Sequence, residues 1–385
     1  MTSLLEELAA ASAGMDAATG ERVAQEIESI RARFRQAAED LEGARFASPD
    51  GRGRSVEELP WYVMIGAPGP GKTTALVNSG LRLPLYTKDS GPSVPGVGGT
   101  RNCDWWFTDE AVLLDTAGRY TTQDSDRRAD AAAWLGFLQL LKKFRPSRPL
   151  NGALVTVSVM DLLLWSKSER AKYAAHVRMR ISEMYAAMRT RFPVYLLVTK
   201  TDLLAGFTDF FGDMDATARA QVWGTTFPLE IDPALIAEPY AQDFAKLEDR
   251  LGAEMLARLH EVRDLQTRAS IYRFPQQFHA LGPMLGEFIA QAFGTHVDHK
   301  PLQLRGAYFT SGTQEGNPID RVLVTLSRTF GLERAKAASL GGTGRSYFLT
   351  RLLREVVFSE ADLATNDPAP PAVEAADASA APAAA

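Results

Sequence analysis

The eight residues Gly66-Ala67-Pro68-Gly69-Pro70-Gly71-Lys72-Thr73 follow directly on the apolar run Tyr62-Val63-Met64-Ile65. They lead into an apolar-periodic segment, Ala75, Leu76, Val77 and Leu81. The pattern reads strand, then G-x-x-x-x-G-K-T, then helix. A loop of this kind needs a buried strand to hold its start and a helix N-terminus at its end, so that backbone N–H groups and the helix dipole point at a polyphosphate. Glycines let the backbone approach closely, the lysine reaches the β- and γ-phosphates, and the hydroxyl after it ligates Mg²⁺. A glycine-rich turn that bound nothing would not require Lys then Thr after its last glycine. Gly66, Pro68, Gly69, Gly71, Lys72, Thr73 and Thr74 are the candidate nucleotide-binding residues of this loop. Lys72 also counts as catalytic and Thr73 as a metal ligand.

Three further signals follow in order. Gly96-Val97-Gly98-Gly99-Thr100 is a glycine loop ending in a threonine. In switch-type NTPases such a threonine closes over Mg²⁺ and the γ-phosphate, which makes Thr100 a candidate metal ligand and catalytic residue; an ordinary glycine turn reads almost equally well. Val112-Leu113-Leu114-Asp115-Thr116-Ala117-Gly118 delivers an aspartate to the end of an apolar strand, 43 residues after Lys72. Its carboxylate can hold Mg²⁺, through water, and the Gly118 N–H can meet the γ-phosphate. Leu197-Val198-Thr199-Lys200-Thr201-Asp202 again sits at a strand end. It is similar to the [N/T]-K-x-D element of guanine-nucleotide proteins, in which the aspartate accepts from the guanine edge and the lysine stem packs on the base. Thr199, Lys200 and Asp202 therefore favour GTP/GDP over ATP/ADP, because an unpaired buried acceptor penalises adenine.

The residue after Gly118 is Arg119, where Ras-type switches place a water-orienting glutamine. A guanidinium cannot act as a base, so intrinsic hydrolysis is expected to be slow. Arg119 and, more weakly, Arg101 are candidate charge stabilisers. The five histidines are scattered, and His296-Val297-Asp298-His299 reads as a surface loop. The single cysteine, Cys103, excludes an intrachain disulfide and reads as a small core residue.

At 385 residues and net charge −5, the chain has room for two domains and no bias toward nucleic acid. No stretch approaches the ~20 apolar residues that span a bilayer, and the N-terminus lacks a signal-peptide pattern. The chain is expected to be soluble. Val23, Ile27, Ile30, Phe34, Ala37 and Leu41 form one apolar seam on a helix. Ser48 to Gly53 reads as a linker. Strands are expected near 61–65, 103–107, 111–115, 152–159, 193–199, 269–275 and 304–309. Helices are expected near 72–80, 130–144, 168–191, 240–267, 319–329 and 346–358. Near-continuous apolar strands alternating with helices argue an α/β fold, a doubly wound, mostly parallel sheet of the P-loop, small-GTPase-like kind. The expected organisation is an N-terminal helical segment and linker (1–50), the NTPase domain (51–294), a C-terminal extension (295–362) and a disordered Ala/Pro-rich tail (363–385).

Taken in order, GAPGPGKTTALVNSGL, GVGGTRNCDWWFTDEAVLLDTAGRYTTQD, RPLNGALVTVSV, VYLLVTKTDLLAGF and LRGAYFTSGTQEGNPIDR resemble the cytoplasmic domain of the IcmF/TssM family, inner-membrane components of bacterial type VI secretion systems. The resemblance spans roughly residues 59–325. It implies an NTPase-like domain at the cytoplasmic face of the inner membrane, anchored by flanking segments absent from this sequence. It also implies a DotU/TssL-type inner-membrane protein, the lipoprotein TssJ and the baseplate as partners. A structural scaffold with a relict nucleotide fold stays open beside a slow GTPase or ATPase switch. A signal-recognition-type targeting GTPase fits GKTT, DTAGR and TKxD. However, 43 residues is too short for the insertion that family carries between its first two motifs.

Overall fold

A computed structural model describes residues 17–41, 58–81, 103–124, 126–295, 301–312 and 345–366. Thr100, Arg101, the 96–100 loop, the 48–53 linker, the His296–His299 cluster, the 319–329 helix and the tail from Asp367 lie outside the described residues.

One seven-stranded sheet organises the described residues. Its strands are β1 (Trp61–Gly66), β2 (Cys103–Phe107), β3 (Val112–Thr116), β4 (Gly152–Ser158), β6 (Val194–Thr199), β7 (Gly224–Thr226) and β8 (Leu304–Phe309). They lie in the order β2-β3-β1-β4-β6-β8-β7. The five central strands are parallel, and β2 and β7 run antiparallel at the edges. A two-residue strand β5 (Thr190–Arg191) pairs separately with β9 (Thr365–Asn366). The fold is α/β with a mixed, mostly parallel sheet. Every residue of β1, β3, β4, β6 and β8 is buried, because helices cover both faces.

Alternation along β1 sends Val63 and Ile65 to one face and Tyr62 and Met64 to the other. The first face carries the larger core. It is covered by α1 (Ala17–Leu41), α4 (Arg127–Phe144), α6 (Lys167–Met188) and α10 (Leu265–Phe293). Leu76 of α2 (Lys72–Val77) packs on the second face together with the π-helical turn Leu352–Val357. The Tyr62 hydroxyl donates to the Val357 carbonyl at 2.7 Å, and Asn151 Nδ2 donates to the Ala361 carbonyl at 2.9 Å.

The structure corrects the sequence reading in several places. Two described parts of the segment expected as an extension belong to the main fold: β8 lies inside the sheet between β6 and β7, and 352–357 roofs its second face. The strand expected at 269–275 is part of α10, which continues through Pro275 and Pro283. Ile271, Phe274, Phe278, Leu281 and Leu285 recur at helical spacing and are all buried, and that burial outweighs the donors the prolines remove. The helix expected at 240–267 ends at Glu261, as α9 (Ala237–Glu261), and Asp264 caps the start of α10 by accepting from Thr267 N at 2.7 Å. The apolar stretch after β4 forms α5 (Val159–Leu164), opened by a Ser158–Asp161 capping box.

Chain order reverses across β1, since β3 lies on one side of it and β4 on the other. In sheets of this kind the crevice at the carboxyl ends of the strands opens where the order reverses. All three described motifs end there.

Candidate functional site

The glycine loop leaves β1 at Gly66 and enters α2 at Lys72. Gly69 (φ 84°) and Gly71 (φ 89°) are left-handed, the conformation that disfavours a side chain. Gly66 is needed for a different reason: a Cβ there would stand 2.1 Å from Thr156 Oγ1 of β4. Among the described residues a Cβ on Gly69 would meet nothing within 4 Å. Two side chains that sequence reasoning missed anchor the inner side. Thr121 Oγ1 accepts from Gly66 N at 3.0 Å. The Tyr173 hydroxyl accepts from Ala67 N at 3.0 Å and donates to the Thr156 carbonyl at 2.8 Å. No pattern signals Tyr173 in the sequence, because only the packing of α6 brings it to the loop.

Lys72 is buried and folds back over the loop. Its Nζ donates to the Gly66 carbonyl at 3.2 Å and to the Ala67 carbonyl at 3.1 Å. Burial lowers its pKa, and nearby Asp115 works the other way. Thr73 Oγ1 donates directly to Asp115 Oδ2. Register aligns Asp115 with Met64, and Thr116 Oγ1 locks the strand end by donating to the Met64 carbonyl at 2.7 Å. A hydroxyl beside a carboxylate is the hard-oxygen donor pair that Mg²⁺ takes alongside waters and phosphate oxygens. Among the described residues no group of three or more His, Cys, Asp or Glu could hold a metal alone. A divalent ion here would complete its shell from a ligand and water. Thr74 is half-buried on the first turn of α2, and Gly312 lies against its carbonyl.

Gly118 opens a one-turn helix, α3 (Gly118–Thr122), and lies directly on the loop: a Cβ on it would be 2.3 Å from Pro68 N. Arg119 points the other way. Its guanidinium is bound by Glu26 of α1 and, at 2.7 Å, by Asp130 of α4. Burial opposes its charge, but the bonds to Glu26 and Asp130 outweigh it and hold the group protonated. The charge stabiliser expected from the sequence is therefore engaged away from the loop.

The third motif reaches the loop from the neighbouring strand. Thr199 Oγ1 donates to the Pro70 carbonyl at 2.5 Å. Lys200, in a left-handed conformation (φ 59°), places Nζ 2.6 Å from the Gly69 carbonyl. Asp202 Oδ1 accepts from Ser311 Oγ at 2.6 Å. Burial raises the Asp202 pKa, and the Ser311 hydroxyl opposes the rise. Ser311 follows β8, so its place beside Asp202 depends on the β6–β8 pairing, which the sequence does not reveal.

A separate cavity of about 320 Å³ opens at the amino-terminal edge of the strands, among Arg191, Pro228, Leu229, Ile236 and Leu304. Arg191 is bonded to the Pro301 carbonyl there, and none of the motif residues lines the cavity.

Fold and site together define an α/β protein whose glycine loop, hydroxyl–carboxylate pair and lysine–aspartate turn converge at one sheet edge. The chain belongs to the IcmF-related family, whose N-terminal domain matches residues 127–375. It is similar to the Type VI secretion system component TssM1 of Pseudomonas aeruginosa strain PAO1, with 50% identity over 349 residues, 90% of this chain. The chain spans 31% of that relative's length. The family match begins downstream of both the glycine loop and Asp115. Among the described residues no helix is long and apolar enough to cross a membrane.

Proposed function

We propose that the chain is the nucleotide-binding part of a type VI secretion membrane-complex protein, with a P-loop fold that takes a purine nucleoside triphosphate and Mg²⁺. The observation that carries this reading is Lys72: a buried ammonium bonded to two carbonyls of its own loop, beside the Thr73 hydroxyl and Asp115 carboxylate pair. A buried cation whose described hydrogen bonds go to neutral carbonyls is poised to exchange them for an anion.

In this reading Lys72 pairs with the β- and γ-phosphates, and Thr73 and Asp115 share the metal. Mg²⁺ would neutralise charge on the bridging phosphate oxygens. Lys200 and Asp202 face the base, which favours GTP over ATP, because Asp202 is a half-buried acceptor that adenine leaves unmatched. Hydrolysis is slow, since Arg119 replaces the water-orienting side chain and is tied to Glu26 and Asp130. The role is then a switch, with nucleotide state altering a partner surface. In this reading the chain works at the cytoplasmic face of the inner membrane, with a DotU/TssL-type protein and the baseplate as partners, a setting that its likeness to a type VI secretion component supports.

Titration of the purified chain with labelled GTP, ATP, GDP and ADP, with and without Mg²⁺, tests the reading. Saturable, Mg²⁺-dependent binding with GTP preferred supports it, and no binding at high micromolar nucleotide overturns it.

A second reading is a scaffold with a relict loop. It is favoured by the loop amides of Gly66 and Ala67 being bonded to Thr121 and Tyr173, and by a family match that begins after the loop. It expects Lys72→Ala to leave partner binding and secretion intact.

A further inference from the structure

The one-turn helix α3 has two faces with different neighbours. Gly118 and Thr121, three residues apart and so on one side of the turn, meet the glycine loop. Gly118 abuts Pro68 and Ala67, and Thr121 Oγ1 accepts from Gly66 N at 3.0 Å. Arg119 and Tyr120, between them, meet α1. A single carboxylate, Glu26 Oε1, accepts from both the Arg119 guanidinium and the Tyr120 hydroxyl. Glu26 lies on the seated side of α1, between Val23, Ile27 and Ile30, which are buried in the main core. Asp130 of α4 holds the other Arg119 nitrogen at 2.7 Å, and Arg180 donates to the Tyr120 carbonyl at 3.3 Å. The loop thus touches α1 through a bridge only four residues long.

We propose that Glu26 is a positioning residue of the glycine loop: through Arg119 and Tyr120 it presses Gly118 and Thr121 onto Gly66–Pro68, so that occupancy of the loop and the seating of α1 are coupled. The coupling deepens the nucleotide reading and rests on it for its ligand, but the contact itself exists without one. A ligand that moves Gly118 off Pro68 pulls Arg119 and Tyr120 against their bonds to Glu26. By reciprocity, a force that lifts α1 loosens the wall of the loop. The N-terminal helix becomes the element that transmits the state of the site.

Hydrogen exchange on the full chain, resolved by peptide, tests this. Without nucleotide, Glu26→Ala is expected to speed exchange in the peptides covering 64–73 and 116–124 by at least about tenfold, the lower end of what a lost hydrogen bond to a charged group supports. Glu26→Gln, which keeps an acceptor and the shape, is expected to stay near wild type. Tyr120→Phe is expected to give a smaller change in the same direction. Peptides from α10 serve as the internal control. Unchanged loop exchange in Glu26→Ala, or an equal rise in α10, overturns the proposal, the latter because it marks a merely structural residue. With saturating Mg²⁺ and a non-hydrolysable GTP analogue, exchange in 18–30 is expected to change in wild type and not in Glu26→Ala. Binding without any change in 18–30 overturns the coupling. If the analogue does not bind at all, the nucleotide reading fails, and the nucleotide-free arm still decides the coupling.

Discussion

Gly118 and Pro68 are in backbone contact across the candidate site: a Cβ on Gly118 would stand 2.3 Å from Pro68 N and 2.5 Å from Pro68 Cα. The obstructing atoms are main chain, so nothing can swing aside. Gly118→Ala must push α3 or the loop outward. It is expected to cost about 1–3 kcal/mol, the usual range for overpacking, and to weaken nucleotide binding. A thermal melt and a nucleotide titration of the same preparation measure both.

Lys72→Met separates stability from binding. The buried ammonium is held with a lowered pKa, so its charge is costly where it sits. Replacing it with an apolar side chain of similar length removes that cost while leaving the Gly66 and Ala67 carbonyls without its bonds. The melting temperature of the nucleotide-free chain is expected not to fall, while affinity for GTP and ATP drops at least about a hundredfold with the loss of the charge-assisted phosphate bonds. A variant that melts early and still binds would contradict the placement of Lys72.

Asp202→Asn carries a pH signature. Burial raises the Asp202 carboxyl above its ordinary range, so the folded chain holds this proton more tightly than the unfolded one. The charged form therefore costs stability at neutral pH. That cost fades as pH falls through the folded pKa and is gone below the unfolded value of about 4. Asn is expected to raise the melting temperature at pH 7, and the gain is expected to shrink to nothing on acidification toward pH 4. If Asp202 reads the base, the same change swaps an acceptor for a donor at the purine 2-position. Preference is then expected to move from guanine toward xanthine nucleotides by at least about tenfold. Melts from pH 4 to 8 and a GTP–XTP competition measure the two effects.

The second face of the sheet is held by polar ties as well as by Leu352, Leu353 and Val357. Arg305 Nε donates to Glu360 at 3.0 Å, and the Tyr195 hydroxyl donates to the same carboxylate at 2.8 Å. Glu360→Ala leaves a nearly buried guanidinium and a buried phenol short of acceptors, and is expected to cost about 2–4 kcal/mol. Tyr62→Phe deletes only the bond to the Val357 carbonyl and is expected to cost about 1 kcal/mol. Urea unfolding of the two variants gives the comparison. Equal costs would mean that Glu360 is not the centre of this network.

Much of the candidate site's geometry was legible because it is local. Strand, glycine loop and helix are consecutive, so Gly66 to Thr74 carried their own geometry. Asp115 and Lys200 were legible because each ends an apolar run. Residues 269–275 misled because a short stretch with β-branched and aromatic residues, ending in a proline, has the composition of a strand. Only the burial of Phe274, Phe278 and Leu281 on one side decides for helix.

From its residues alone this chain determined an α/β sheet, a glycine loop at the end of its first strand and two polar turns at the ends of others, because those depend on backbone freedom and hydrophobic period over a few residues. Tertiary structure alone decided that β8 enters the sheet and brings Ser311 to Asp202, that Tyr173 and Thr121 hold the loop, and that Arg119 turns from the site to Glu26, 93 residues earlier. Those contacts join segments far apart in sequence. Which partner a side chain meets there is set by how whole helices pack, and no local pattern encodes that.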